Sequence, residues 1–166
     1  MIHHEPTEYT LALFPQGKGF GFAYFTEQYE PDHFGIATIK PPDNTRCLKR
    51  IDAMIETYKP NLILLPTPDG KRNRKRKRIQ ELLQQINHYA KRHGIAVKTY
   101  SREQIRLIFE QFDAYSKLEI AEKICLWMPR LEKYQPPRRK RYMPEDYYQS
   151  MFDAISLYIT HSYINQ

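Results

Sequence analysis

Residues 10–25, TLALFPQGKGFGFAYF, decide how the rest of the chain is read. Gly17, Gly19 and Gly21 interrupt two apolar stretches, and Phe20, Phe22 and Tyr24 alternate behind the first two glycines. Glycine reaches the positive φ of a tight turn, so the stretch reads as two strands joined by a hairpin. A GxGxG spacing also occurs in phosphate-binding loops, but those lie between a strand and a helix, and no helix follows here. Residues 34–39, FGIATI, supply a third strand, and three consecutive extended segments read as an antiparallel meander. The same residues 10–25 contain neither Asp nor Glu.

Beyond the meander the period changes. Pro41, Pro42 and Asp43 end the sheet and start a helix whose apolar stripe is Leu48, Ile51, Ile55 and Tyr58, with Pro60 as its stop. Residues 61–65, NLILL, read as a strand buried on both faces. Ile79, Leu82, Leu83, Ile86 and Ala90 trace a second helix closed by Gly94, and residues 95–99, IAVKT, a fifth strand. Ser101 with Gln104, and Ser116 with Glu119, have the spacing of capping boxes for two further helices. Pro129 ends the second of these, and residues 130–144 read as a loop. Pro144, Glu145 and Asp146 suit the first turn of a last helix, with Met151, Ile155, Tyr158, Ile159 and Ser162 on its inward face. The order βββαβαβααα implies an α/β protein, a five-stranded mixed sheet with helices on both faces. The expected organisation is a single domain over 1–166, with 1–8 a flexible N-terminus.

Composition excludes several classes. No apolar run approaches the roughly 18–20 residues of a membrane span, and MIHHEPTEYT lacks the apolar core of a signal peptide. Cys47 and Cys125 are too few for a disulfide scaffold, so a reducing, cytoplasmic setting is expected, nucleoid-associated if the source is bacterial. They read as small buried apolar residues. No Cys/His spacing suggests zinc; His3 and His4 read as a terminus, and His88 and His93 do not share a helical face. The net charge is +7 in 166 residues. Residues 71–78, KRNRKRKR, and 138–141, RRKR, hold eleven of the 26 cations, and the remaining 15 face 19 acids. A mildly acidic body thus bears two dense basic runs.

The element order is that of the ribonuclease H-like fold, and over residues 9–162 the details resemble its RuvC-like Holliday junction resolvase branch. LALFPQGKGFGFAYF looks like that family's first strand and turn, and RIDAMIETYKPNLILLPTP like the helix and strand that carry its second acid. SKLEIAEKI resembles the start of its penultimate helix, and FDAISLYITH its last helix with an Asp-Ala signature. The resemblance implies a Mg²⁺-dependent nuclease in which about four carboxylates hold two ions. In this sequence the first-strand aspartate aligns with Phe14, the second acid with Pro66, and the last helix's pair with Ser150 and Asp153. Asp153 alone is a carboxylate, and a lone carboxylate holds Mg²⁺ poorly. Asp69, Asp146, Asp32 and Glu30 are the acids that could be asked to replace the missing ones. Asp69 could curl back, Asp146 stands about 10 Å along the helix from Asp153, and Asp32 and Glu30 belong to the other end of the sheet.

The basic runs point to phosphate. Seven cations in eight residues repel one another and oppose a helix N-terminal dipole, a cost that a bound polyanion relieves. Lys71, Arg72, Arg74, Lys75, Arg76, Lys77 and Arg78 are the first candidate contacts. Arg138, Arg139, Lys140 and Arg141 are the second, interleaved with Tyr134, Tyr142, Tyr147 and Tyr148, which suit base stacking. A nuclear-localisation address reads similarly. The expectation is a nucleic-acid-binding pseudo-nuclease, DNA before RNA, with no catalytic residue assigned, no cofactor and no membrane partner. Branched substrates and a homodimer are what the resemblance implies. Two alternatives stand beside it: an active nuclease with a rearranged site, using Mg²⁺ and Asp153, and an assembly subunit whose basic runs meet an acidic protein.

Overall fold

The structure is a computed structural model that describes residues 8–26, 29–68, 74–140 and 142–166. Its strands are β1 (Thr10–Gln16), β2 (Gly19–Phe25), β3 (His33–Thr38), β4 (Leu62–Pro66) and β5 (Ala96–Tyr100). Its helices are α1 (Asn44–Tyr58), α2 (Arg74–Arg92), α3 (Arg102–Glu110), α4 (Lys117–Trp127) and α5 (Gln149–Ile164), with a 3₁₀ helix over Pro129–Tyr134. The element order is the one expected from the sequence, and the five strands form one sheet in the order β3-β2-β1-β4-β5. β1–β2 and β2–β3 are antiparallel, while β1–β4 and β4–β5 are parallel.

Alternation divides the sheet residues between two faces. Leu11, Leu13, Ile63 and Leu65 pack under α1 and α2 with Ile51, Ile55, Leu82 and Ile86. Ala12, Ala23, Leu62 and Leu64 pack under the other three helices with Ile105, Ile124, Phe152 and Ile155. β4, buried at Leu62, Ile63, Leu64 and Leu65, serves both cores, as its unbroken apolar run requires. β5 is an edge strand exposed along most of its length.

Local signals hold at the helix ends. Asp43 caps α1 by accepting from the Arg46 N–H, and the Ser101–Gln104 capping box is complete in both directions. Ser116 accepts from the Glu119 N–H at the start of α4. Gly94, with φ +67, follows α2.

Four expectations are corrected. Residues 130–144 are not all loop, since the 3₁₀ helix occupies Pro129–Tyr134. α5 begins at Gln149, so Pro144, Glu145 and Asp146 precede it; Asp146 accepts from the Tyr148 N–H instead of opening the helix. α5 is buried on nearly all sides over 149–161, because the sheet lies beneath it and α3 and α4 lie above. Residues 1–7 lie outside the described residues, but Glu8 is held: its Oε1 is 3.0 Å from His161 Nε2 on α5.

Candidate functional site

The site is built where β1 and β4 end side by side beneath the start of α5. Along β1, Ala12 and Phe14 face the same way, and along β4 so do Leu62, Leu64 and Pro66. Ala12, Leu62 and Leu64 belong to the core under α5, and Phe14 packs against that core. Phe14 pairs with Gly21 of β2. A Cβ on Gly21 would collide with the Ser150 carbonyl and the Met151 nitrogen, so α5 starts directly against the β2 backbone. Gly21 therefore serves a close helix approach, while Gly19, at φ +145, supplies the positive φ of the hairpin.

Ser150 and Asp153 are both buried, 3% and 4% exposed. The Gln149 amide donates to Asp153 Oδ1 at 3.1 Å. Among the described residues neither Asp153 Oδ2 nor the Ser150 hydroxyl finds a hydrogen-bond partner. Lys117 Nζ lies 3.4 Å from Asp153 Oδ2 and 3.1 Å from Glu145 Oε1. The same ammonium stands 5.6 Å from the centroid of the Phe14 ring. Arg102, at the head of α3, also interacts electrostatically with Asp153 and Glu145. Burial pushes the Asp153 carboxyl above its ordinary range; Lys117, the Gln149 bond and Arg102 oppose that shift, and Glu145 adds to it.

A Mg²⁺ site needs several hard oxygen ligands in near-octahedral array. The residues here are an aromatic ring, a proline, a hydroxyl and one buried carboxylate facing an ammonium that it shares with the more exposed Glu145. Among the described residues no group of three or more His, Cys, Asp or Glu could hold a metal ion. These side chains do not fit the ion pair that the resemblance implies. Asp146 is not on the helix with Asp153, and Asp32 is spent at the far end of the sheet, accepting from Thr26 N–H and Oγ1. Glu30 pairs with Arg130 at 3.5 Å. Asp69 lies outside the described residues.

Lys71, Arg72 and Arg141 likewise lie outside the described residues, as do the side chains of Arg74 and Lys75. Residues 74–78 are helical, the opening of α2, rather than loop. Lys77 is exposed. Arg78 donates to the Gly17 carbonyl at 2.8 Å, so it ties α2 to the β1–β2 turn. Arg138 is highly exposed, 3.9 Å from Glu122, and Arg139 donates to the Met143 carbonyl. Arg139 and Lys140 line a cleft of about 340 Å³ together with Lys117, Glu145 and Gln149. Arg139 and Lys140 of the second basic run thus share one concavity with Lys117, Glu145 and Gln149, the side chains that contact or flank Asp153. Tyr134 and Tyr147 both pack against Tyr148, each with ring centroids 4.9 Å from it, and Tyr147 and Tyr142 remain exposed.

Sequence reasoning passed over Lys117, Glu145, Gln149 and Arg102. Lys117 follows the cap Ser116 and Glu145 follows Pro144, but nothing local says that the two meet across 28 positions. Cys47 and Cys125 are free and buried as expected, and burial pushes the Cys125 thiol up to about 11.

No protein-family model and no curated protein matches the sequence. Solved structures do match the fold. RuvC of Thermus thermophilus in complex with Holliday junction substrate aligns at TM-score 0.65 and 14% identity, over 95% of this chain and 94% of that one. Thermus thermophilus RuvC in a second structure aligns at 0.66 and 14%, over 95% of each chain. The yeast mitochondrial Holliday junction resolvase Ydc2 aligns at 0.61 and 11%, over 96% of this chain and 81% of its own. With the mixed five-stranded sheet and α5 laid across β1 and β2, the chain has the ribonuclease H-like fold in the form found in RuvC and its resolvase relatives.

Proposed function

We propose that this protein binds DNA, branched or junction DNA foremost, and does so without hydrolysing it. One observation carries the reading: where a nuclease of this fold would gather carboxylates, Asp153 faces the ammonium of Lys117, and Phe14 and Pro66 take the neighbouring places. The basic opening of α2 and the Arg139–Lys140 wall of the cleft lie on either side, which supports phosphate contact rather than phosphate cleavage. The structural neighbours include a resolvase solved with a Holliday junction, which supports a junction as the preferred form of DNA. A four-way junction has two halves related by two-fold symmetry, one for each of two copies, so the binding unit is taken as a homodimer, and light scattering should return the mass of two chains.

The test is a gel shift with labelled four-way junction, duplex and single-stranded DNA over a salt series, paired with a cleavage assay in Mg²⁺ and Mn²⁺. The expected result is a salt-sensitive shift, strongest for the junction, with the DNA left intact. Failure of all three probes to bind at about 50 mM salt would remove the reading. Glu145 favours a second possibility, because it brings another carboxylate to the ammonium that Asp153 faces. In that case the protein is an endonuclease with a rearranged site, and cleavage would appear and vanish in both Asp153→Asn and Glu145→Gln.

A further inference from the structure

Lys117 is placed as a bound cation is placed. Its ammonium has Glu145 Oε1 at 3.1 Å, Asp153 Oδ2 at 3.4 Å and the Phe14 ring centroid at 5.6 Å. An ammonium is compact and strongly hydrated; here two carboxylates and an aromatic face stand in for part of its water. The Asp153 side chain is 6% exposed, and among the described residues its Oδ2 has no hydrogen bond and only this ammonium as an ion-pair partner. A divalent ion could take the same place only by displacing that ammonium from both carboxylates.

We propose that the Lys117 ammonium is the resident cation of this site, tethered through its side chain to α4, and that the site therefore takes neither Mg²⁺ nor Mn²⁺. Its second consequence rests on the DNA-binding reading: a tethered charge on the cleft wall meets a phosphate without any dissolved metal, so junction affinity is independent of divalent ions.

Three measurements test it. In a Mn²⁺ titration followed by electron paramagnetic resonance, the wild-type protein leaves the free-ion signal undiminished through the low millimolar range. Lys117→Met exposes the carboxylate pair and binds Mn²⁺, and adding Asp153→Asn removes that binding. Stoichiometric Mn²⁺ binding by the wild type, lost in Asp153→Asn, would overturn the proposal, and so would a folded Lys117→Met that binds no more Mn²⁺ than wild type. Should Lys117→Met not fold, ¹H–¹⁵N spectra of the wild-type lysine ammonium groups decide. One ammonium is protected from water exchange and loses that protection in Asp153→Asn; uniform fast exchange of all lysines counts against it. Junction affinity at matched ionic strength is equal in EDTA and in Mg²⁺, whereas a Mg²⁺ requirement contradicts it. The Mn²⁺ and ammonium measurements use no DNA. A failed gel shift leaves them standing, and Mn²⁺ uptake by the wild type leaves DNA binding standing.

Discussion

Lys117→Met and Asp153→Asn remove opposite halves of one contact and should differ in cost. Lys117 is partly exposed and keeps Glu145, so Asp153→Asn leaves a cation that water still reaches. Lys117→Met leaves a buried carboxylate with the Gln149 amide and Arg102 but without the ammonium it faces, a change that costs less than the figure of about 3–5 kcal/mol for a buried charge left with no partner. The pH dependence has a definite sign. Burial already raises the folded-state pKa of Asp153 above its unfolded value. The folded protein then holds a proton that the unfolded chain has released, so stability falls as pH rises through that interval. Loss of Lys117 raises the folded value further and widens the interval. Urea midpoints should therefore separate wild type from Lys117→Met strongly at neutral pH and little near about pH 4, where carboxyls protonate in both states; a gap constant with pH would refute this account. Gly21 and Gly94 give a second contrast. A methyl on Gly21 meets the α5 backbone, while one on Gly94 meets nothing within 4 Å but sits at φ +67. Gly21→Ala should lose about 1–3 kcal/mol or more by overpacking, and Gly94→Ala about 1–2 kcal/mol by strain alone. Urea unfolding of the two variants measures both.

At the scale of elements, α2 opens with cations and has no acid in its first turn. Cations there oppose the helix dipole, so function and helix stability pull in different directions. Lys77, exposed in that turn, separates them. Lys77→Glu should stabilise the protein by about 0.3–1 kcal/mol while weakening junction binding, and should flatten the slope of log K against log salt by about 0.9 if Lys77 neutralises one phosphate. Calorimetry and salt-dependent binding must move in opposite senses. Arg78 behaves differently because it donates to the Gly17 carbonyl. Arg78→Ala should lower stability by about 1.5–3 kcal/mol, the worth of a charged hydrogen bond. α5 is polar or small at several positions, yet it is buried through Gln149–His161. It owes that to being sandwiched, which an inward stripe of apolar residues does not convey.

For the molecule as a whole, the surplus of cations and the deficit of acids meet at one end of the sheet. The C-terminal ends of β1 and β4, the first residues of α2 and the cleft between α4 and α5 adjoin one another there. The DNA-level prediction belongs to this scale. A four-way junction incubated with Mg²⁺ or Mn²⁺ should remain uncut by wild type, and Asp153→Asn should leave its affinity within about twofold, since the buried carboxylate touches no phosphate; cleavage that tracks Asp153 would establish the nuclease instead.

The element order, both Ser-initiated caps and the mixed sheet are legible in the residues alone. Each follows from local physics: period two against period 3.6, hydroxyl caps, and glycine or proline at the breaks. Equally legible is the absence of any acid from residues 10–25. Local signals misplaced the start of α5, because Pro144, Glu145 and Asp146 satisfy helix-start chemistry whether or not a helix follows; Asp146 instead accepts from the Tyr148 N–H. What stands in the place of the missing acids emerges from packing between distant segments. Lys117 reaches Asp153 across 36 positions and Glu145 across 28, and it lies over Phe14 from the far side of the chain. No periodicity in sequence encodes those distances. They exist because α4 and α5 pack on one face of the sheet and bring a surface lysine to a buried carboxylate.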